Sequence, residues 1–218
     1  GFIDDIRTLN PWIRLGAQTL LALLVWLAGT QVSFTHFEVL DAIITVLWIV
    51  GLTNAMNLLD NADGLAASTT LVAALGTGIV AVIYGQYFVG GLAFALSGTA
   101  AGFLWHNWAP ASVYLGDAGA YFLGFLLAVV TLRLRPVGLV LPWSAAIPVL
   151  LVFVPILDTA FVVVRRVIEG RHPFTPGRDH LSHLLMGHGL SVRQSVAVLQ
   201  AILVISVAGA IVLAYAFR

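Results

Sequence analysis

The fold class this sequence predicts is all-α, a polytopic bundle of transmembrane helices, and three observations predict it. Mean hydropathy is +1.01, with 60% hydrophobic and 9% charged residues, far outside the range of a soluble domain. Several apolar runs approach or exceed the roughly 18–20 residues that a helix needs to cross the hydrocarbon of a bilayer. Those runs are continuously apolar and do not alternate as barrel strands would. Without water, a spanning backbone must then pair within its own segment, as a helix does.

Seven apolar segments follow in order, at about 12–29, 40–58, 65–84, 87–105, 118–132, 141–164 and 194–217. The first follows the polar stretch "GFIDDIRTLNP". The second runs into "NAMNLLDNADGLAAS", where Gly64 offers a turn before the third. The short "YGQYF" separates the third from the fourth. "HNWAPASVYLGDAG" leads into the fifth, with Asp117 at its entry. "RLRPVG" precedes the sixth, which carries Asp158 about two turns before Arg165. The long "RRVIEGRHPFTPGRDHLSHLLMGHGLSVR" leads into the seventh. The whole chain, 1–218, reads as one transmembrane domain, with no repeat, low-complexity tract or linker to mark a second.

Alternating sides place Arg7, Arg14, Arg165, Arg166, Arg171, Arg178 and Arg193 on one side, and Arg133, Arg135 and Arg218 on the other. That bias points to the first side as cytoplasmic, with the "RLR" loop running against the rule. Asp4, Asp5, Asp60, Asp63, Asp117 and Asp179 gather on the same side, whereas Glu38 and Asp41 lie toward the opposite one. Distant segments therefore deliver carboxylates, amides and histidines to one membrane surface, as a shared site would require. A net charge of zero leaves no electrostatic footprint for nucleic acid, and no cysteine means no disulfide, thiolate nucleophile or cysteine metal site.

Four polar stretches could carry chemistry. In "GFIDDIR", the adjacent Asp4 and Asp5 repel one another unless a cation, a proton or a hydrogen-bond network intervenes. They read either as a solvated pair or as a general base near a Mg²⁺ ion. In "NAMNLLDNADG", Asn54, Asn57, Asp60 and Asp63 step by three, which lines them along one side if the helix persists. Hard oxygen donors of this kind suit Mg²⁺, which keeps waters and shares substrate phosphates; a self-satisfied polar network is the structural reading. In "VYLGDAGAYFLG", Asp117 is either a ligand or a helix N-cap, and Tyr114 either stacks on a flat ring or anchors at the interface. In "RHPFTPGRDHLSHLL", Arg171 and Arg178 suit phosphate oxygens. There His180 and His183 are spaced to share a helix face and favour hydrogen bonding over zinc, which lacks a third close ligand. Asp158 reads as a hydrogen-bonding residue of the bundle interior.

Taken together, "GFIDDIRTLNPWIRL", "NAMNLLDNADGLAA", "YLGDAGAYFLG" and "GRDHLSHLL" resemble, in order, the motifs of the polyprenyl-phosphate N-acetylhexosamine-1-phosphate transferases. This family, of the glycosyltransferase family 4 type, includes the phospho-N-acetylmuramoyl-pentapeptide transferase. The resemblance implies transfer of a sugar 1-phosphate from a UDP-amino sugar to polyprenyl phosphate at the cytoplasmic face of the cell membrane. UMP is released and Mg²⁺, or alternatively Mn²⁺, is required. It implies Asn57 and Asp117 as metal ligands, and Asp4 or Asp5 acting on the lipid phosphate. It also implies Asp60 and Asp63 shaping the nucleotide pocket beside Asn54, with Tyr114 near the uracil and Arg178, His180 and His183 on the sugar nucleotide. A homodimer and a ten-span fold are implied too, so about three spans are expected to precede this portion.

Three positions depart from the family pattern. Asn61 replaces a Gly, Ala120 stands where Ser is common, and Ser182 stands where a further His is expected. The last departure favours simpler UDP-N-acetylhexosamine users in cell-envelope polysaccharide or teichoic acid synthesis. An intramembrane aspartyl protease and a CDP-alcohol phosphotransferase fit the motifs poorly. A proton- or ion-coupled transporter is the alternative from another class, but its acids would lie near the bilayer midplane, where Asp158 is the main candidate.

Overall fold

The computed structural model describes residues 10–32, 37–135, 143–172 and 177–218. Asp4 and Asp5 lie outside the described residues.

Helix α1 (Pro11–Leu27) starts where Asn10 accepts a hydrogen bond from the Trp12 amide and Pro11 takes the first helical position, where its missing N–H costs nothing. Next come α2 (Glu38–Leu59), α3 (Leu65–Ile83), α4 (Tyr87–Asn107) and α5 (Gly116–Leu132). The sixth predicted span is instead two helices, α6 (Trp143–Leu151) and α7 (Phe153–Ile168), bent by 82°. The break has a local cause: Pro155 cannot donate to the Leu151 carbonyl and its ring crowds that carbonyl. A short α8 (Leu181–Gly187) lies inside the long polar loop, and α9 (Val192–Ala216) opens on a capping box between Ser191 and Gln194.

Every predicted apolar segment is helical, but not every one is a full-length span. Among the described residues four helices (α2, α3, α4 and α9) are long and apolar enough to cross a membrane, or five if the bent α6–α7 pair counts as one. The apolar α1 and α5 have 17 residues each, about 26 Å at 1.5 Å per residue. The architecture is a polytopic membrane bundle of helices.

Packing follows the logic of lipid rather than water. Large apolar side chains such as Leu47, Phe88, Trp105, Ile205 and Val212 point outward, while α3 at the centre is built from small residues. Ala66, Ala67, Ala73, Ala74, Gly76, Gly78 and Ala81 of α3 are buried against neighbouring helices. Small residues let helix backbones approach where no hydrophobic effect drives association. Buried hydroxyls on α3 return their hydrogen bonds to their own helix, as Thr70 does to Ala66 O and Thr77 to Ala73 O.

One close approach positions the site. A Cβ on Gly124 of α5 would sit 2.9 Å from Thr53 Cα and 2.9 Å from Met56 Cβ of α2, so only glycine permits this contact. Two turns along α5 from Gly124 lies Asp117, and one turn along α2 from Thr53 lies Asn57. The glycine contact thus sets the two polar residues side by side.

Candidate active site

The C-terminal end of α2 and the N-terminal end of α5 meet where Asn57 Nδ2 donates to Asp117 Oδ1 at 2.8 Å. Both residues are half-buried. Asp117 is not the helix N-cap considered from the sequence: Leu115 occupies that position and Asp117 falls in the first turn. A carboxylate there complements the helix N-terminus. On its other side stands Arg14 of α1, with Nη1 3.6 Å from Asp117 Oδ2 and 3.4 Å from the Tyr121 hydroxyl.

The three-residue step of Asn54, Asn57, Asp60 and Asp63 does not run along one helix. The α2 helix ends at Leu59, Asp60 is its C-cap, and the chain turns through Gly64, whose φ is +79°. Asn61 Nδ2 donates to the Leu58 carbonyl at 2.8 Å, satisfying a group that a helix end leaves unpaired. Asp63 therefore points elsewhere, and its Oδ2 accepts from the Ala111 amide at 2.9 Å. Asn54 lies one turn deeper in α2, where its Nδ2 donates to Gln18 Oε1 at 2.6 Å and to the Val50 carbonyl at 2.8 Å.

Asp60, Asp63 and Asp117 nevertheless share one electrostatic neighbourhood. Burial first, and then the Asp117 and Asp63 carboxylates, push Asp60 from the usual carboxylate range up to about 6. This acid-rich corner suits a divalent cation. Asn57 and Asp117 supply hard oxygen donors, Asn57 Oδ1 and the Asp117 carboxylate, in the number Mg²⁺ takes when phosphates and waters complete its shell. Among the described residues no group of three or more His, Asp or Glu side chains could hold a metal by itself. The donors fit an ion shared with a substrate, and the zinc reading of His180 and His183 finds no further support.

The polar loop reaches the same corner. Ser182 Oγ donates to Asn61 Oδ1, which ties α8 to the α2–α3 turn. His180 is the N-cap of α8 rather than a residue of its helical face, yet its ring meets that of His183 edge to face, centroids 6.1 Å apart. His183 titrates below the ordinary range, chiefly through burial and then through the neighbouring His180 and Arg178. Arg178 is exposed. Arg171 is engaged elsewhere: its guanidinium holds Asp179 at 2.9 and 3.1 Å and also pairs with Glu169. Asp179 is gripped as well by the buried Arg166, Nε to Oδ2 at 3.0 Å, and the two arginines hold it down at about 2.

Some supports were not read as site residues from the sequence. Asp158, 1% exposed on α7, accepts from the Leu181 amide at 2.8 Å, and its Oδ2 lies 2.7 Å from His180 Nδ1. It is thus a hydrogen-bonding residue of the interior, as its place in an apolar run suggested. Its pairing with the polar loop puts it at the site end of the bundle. Asn107 takes the Gly64 amide at 3.1 Å and donates to the Val113 carbonyl at 2.9 Å. Arg193 of α9 donates to the Ala109 carbonyl at 2.6 Å. These bonds order the loop that carries Tyr114, which is itself 73% exposed. A lone amide at the end of an apolar helix was the available signal for Asn107; nothing local identified Gln18 or Arg193.

Comparison with known proteins finds a matching family model and curated relatives. The family model described as glycosyl transferase family 4 matches residues 1–135. A probable undecaprenyl-phosphate N-acetylglucosaminyl 1-phosphate transferase of Bacillus subtilis is 34% identical, over 98% of this chain and 62% of its own length. A phospho-N-acetylmuramoyl-pentapeptide-transferase of Streptococcus thermophilus is 30% identical, over 83% of this chain and 59% of its own. A decaprenyl-phosphate N-acetylglucosaminephosphotransferase of Mycolicibacterium smegmatis is 31% identical, over 90% and 55% respectively. The chain spans about six-tenths of the length of these curated relatives.

Proposed function

The chain belongs to glycosyl transferase family 4, and from that premise we propose that it carries the site at which a hexosamine 1-phosphate passes from a UDP-sugar to polyprenyl phosphate. The observation that carries the reading is the direct contact of Asn57 with Asp117 beside Asp60 and Asp63. Phosphoryl transfer needs positioning and charge neutralisation more than covalent chemistry from the protein; this corner would supply positioning itself and neutralisation through a cation that it holds. An oxygen of the lipid phosphate attacks the sugar-linked phosphorus of the donor, the diphosphate bond breaks and UMP leaves.

Asn57 and Asp117 would hold Mg²⁺, which when bound offsets the negative charge of the diphosphate. Asp60 and Asp63 border the nucleotide pocket, with Asn54 supporting its floor through Gln18. The exposed Tyr114 is free to stack on the uracil. Arg178 with His180 and His183 would hold the sugar nucleotide from the polar loop. Asp4 or Asp5 would orient or deprotonate the lipid phosphate. Val163, Val164, Val167 and Ile168 face outward on α7 and offer an apolar surface for the lipid chain. The site end is assigned to the cytoplasmic face by the arginine bias. Donors of the simple UDP-N-acetylhexosamine type fit Ser182 best, with cell-envelope polysaccharide or teichoic acid as the downstream product.

The test uses membranes containing the full-length protein, polyprenyl phosphate, Mg²⁺ and a panel of UDP-hexosamines. UMP release with one of these donors is expected, and Asp117→Ala is expected to abolish it at unchanged expression. Release that survives Asp117→Ala removes Asp117 from the metal site; no release from any donor overturns the reading.

A further inference from the structure

We propose that Asp158 is a positioning residue that fixes the tautomer of His180, so that the ring presents Nε2 to the sugar nucleotide. The inference rests on the transferase reading for its consequence, but its geometry stands independently. The Asp158 carboxylate is 1% exposed and is shared by two consecutive residues of the polar loop. Oδ1 accepts the Leu181 amide at 2.8 Å, and Oδ2 lies 2.7 Å from His180 Nδ1. A carboxylate already accepting from a backbone N–H is set to accept at its second oxygen too, so Nδ1 carries the proton. In the neutral ring Nε2 is then the nitrogen with a lone pair, and it has no hydrogen-bond partner among the described residues.

That arrangement has a purpose a mere tether would not. His180 is 5% exposed, so the ring cannot turn to exchange its nitrogens without breaking the Asp158 bond. With Nδ1–H fixed, Nε2 can accept from a hydroxyl or amide N–H of a sugar, or donate to a phosphate oxygen once the ring takes a second proton. A ring held as Nε2–H would offer only a donor. The choice of tautomer therefore decides what the residue can recognise. The bend between α6 and α7 starts α7 afresh at Phe153, and Asp158 shares a buried stripe of that helix with Val154, Val162 and Arg166. Arg166, two turns on, grips Asp179, the residue before His180. Residues 179, 180 and 181 are thus all held by one face of α7, and residue 182 by Asn61.

The discriminating substitution is Asp158→Asn, which keeps size and the bond from the Leu181 amide. It turns an NH₂ group toward Nδ1, which favours the opposite tautomer; the same logic governs a carboxylate behind a catalytic histidine in serine proteases. Full-length protein labelled with ¹⁵N-histidine, with His180→Gln used for assignment, should show Nδ1 of His180 protonated in the unsubstituted protein and deprotonated in Asp158→Asn. In the UMP-release assay, Asp158→Asn should lower kcat/KM by about 10- to 100-fold, the range over which residues orienting a histidine act. Its pH profile should shift, while expression and thermal stability stay close to those of the unsubstituted protein.

An unprotonated Nδ1 in the unsubstituted protein overturns the inference, and this measurement needs no variant to fold. Unchanged kcat/KM in Asp158→Asn with an inactive His180→Ala also overturns it and leaves the transferase reading intact. Absence of UMP release in the unsubstituted protein overturns the transferase reading, while the ¹⁵N signature still decides the tautomer.

Discussion

The two ends of the bundle contrast in how they handle polar side chains. At the site end, side chains bond one another across long stretches of sequence: Asn57 to Asp117, Asn61 to Ser182, Asp158 to His180. At the opposite end, Arg133 donates to the Thr30 hydroxyl at 2.9 Å, and Gln86 exchanges hydrogen bonds with the backbone of Arg135. A cavity of about 360 Å³ opens at that opposite end, lined by residues that include Thr30, Gln31, Gln86, Arg133 and Arg135, with no carboxylate among the described lining residues. Concavity alone is therefore a poor guide to the site in this molecule. What distinguishes the end that carries the candidate site is a convergence of acids, amides and histidines from separate helices, which in lipid is costly unless it serves a ligand.

That contrast can be broken by substitution. The largest effect is expected from Asp117→Ala, with UMP release reduced by about 10³-fold or more, a loss comparable to removing a principal transition-state contact. Asp179→Ala comes next. It removes a carboxylate partner of the buried Arg166 and should cost about 3 kcal/mol of stability, read as a lower midpoint in thermal unfolding. The sign of its pH dependence follows from a carboxylate held at about 2 by Arg171 and Arg166. The stabilisation is fully present above the unfolded-state value near 4 and is lost as pH falls toward 2. Unfolding midpoints between pH 5 and 8 should thus show no pH dependence from this group.

Gly124→Ala is expected to cost about 1–3 kcal/mol through overpacking, because its Cβ meets the α2 backbone at Thr53. It should also lower UMP release by separating Asn57 from Asp117, and unchanged Mg²⁺ dependence in this variant would show that the α2–α5 contact does not set the metal pair. The smallest effect belongs to the opposite end: Arg133→Gln should change transferase activity by less than about twofold and stability by no more than about 0.5 kcal/mol. A large loss of activity there would erase the contrast between the two ends.

Much of the candidate site was legible because its residues are anomalous where they stand. Asn57 and Asp117 are polar groups at the edges of apolar runs, and the alternation of runs placed them on one side. The rest was hidden for identifiable reasons. The i+3 spacing of Asp60 and Asp63 resembled a continuing helix, but the Gly64 turn and the Asn61 cap end it at Leu59. Asn61 and Ser182, two separate departures from the family pattern, are partners of each other, a relation that a sequence distance of 121 residues conceals. Arg171 was a phosphate candidate until its bonds to Asp179 and Glu169 came into view.

The amino-acid order by itself determined that this chain lives in a bilayer as helices, where its apolar runs begin and end, and which polar groups share a membrane side. Hydropathy and backbone pairing act along the chain, so they can be read along it. Only the tertiary structure decided the rotation of each helix about its axis and the depth at which neighbours touch. Those choices depend on small-residue contacts such as Gly124 against Thr53 and on the kink before Pro155, and they select which amide faces which carboxylate.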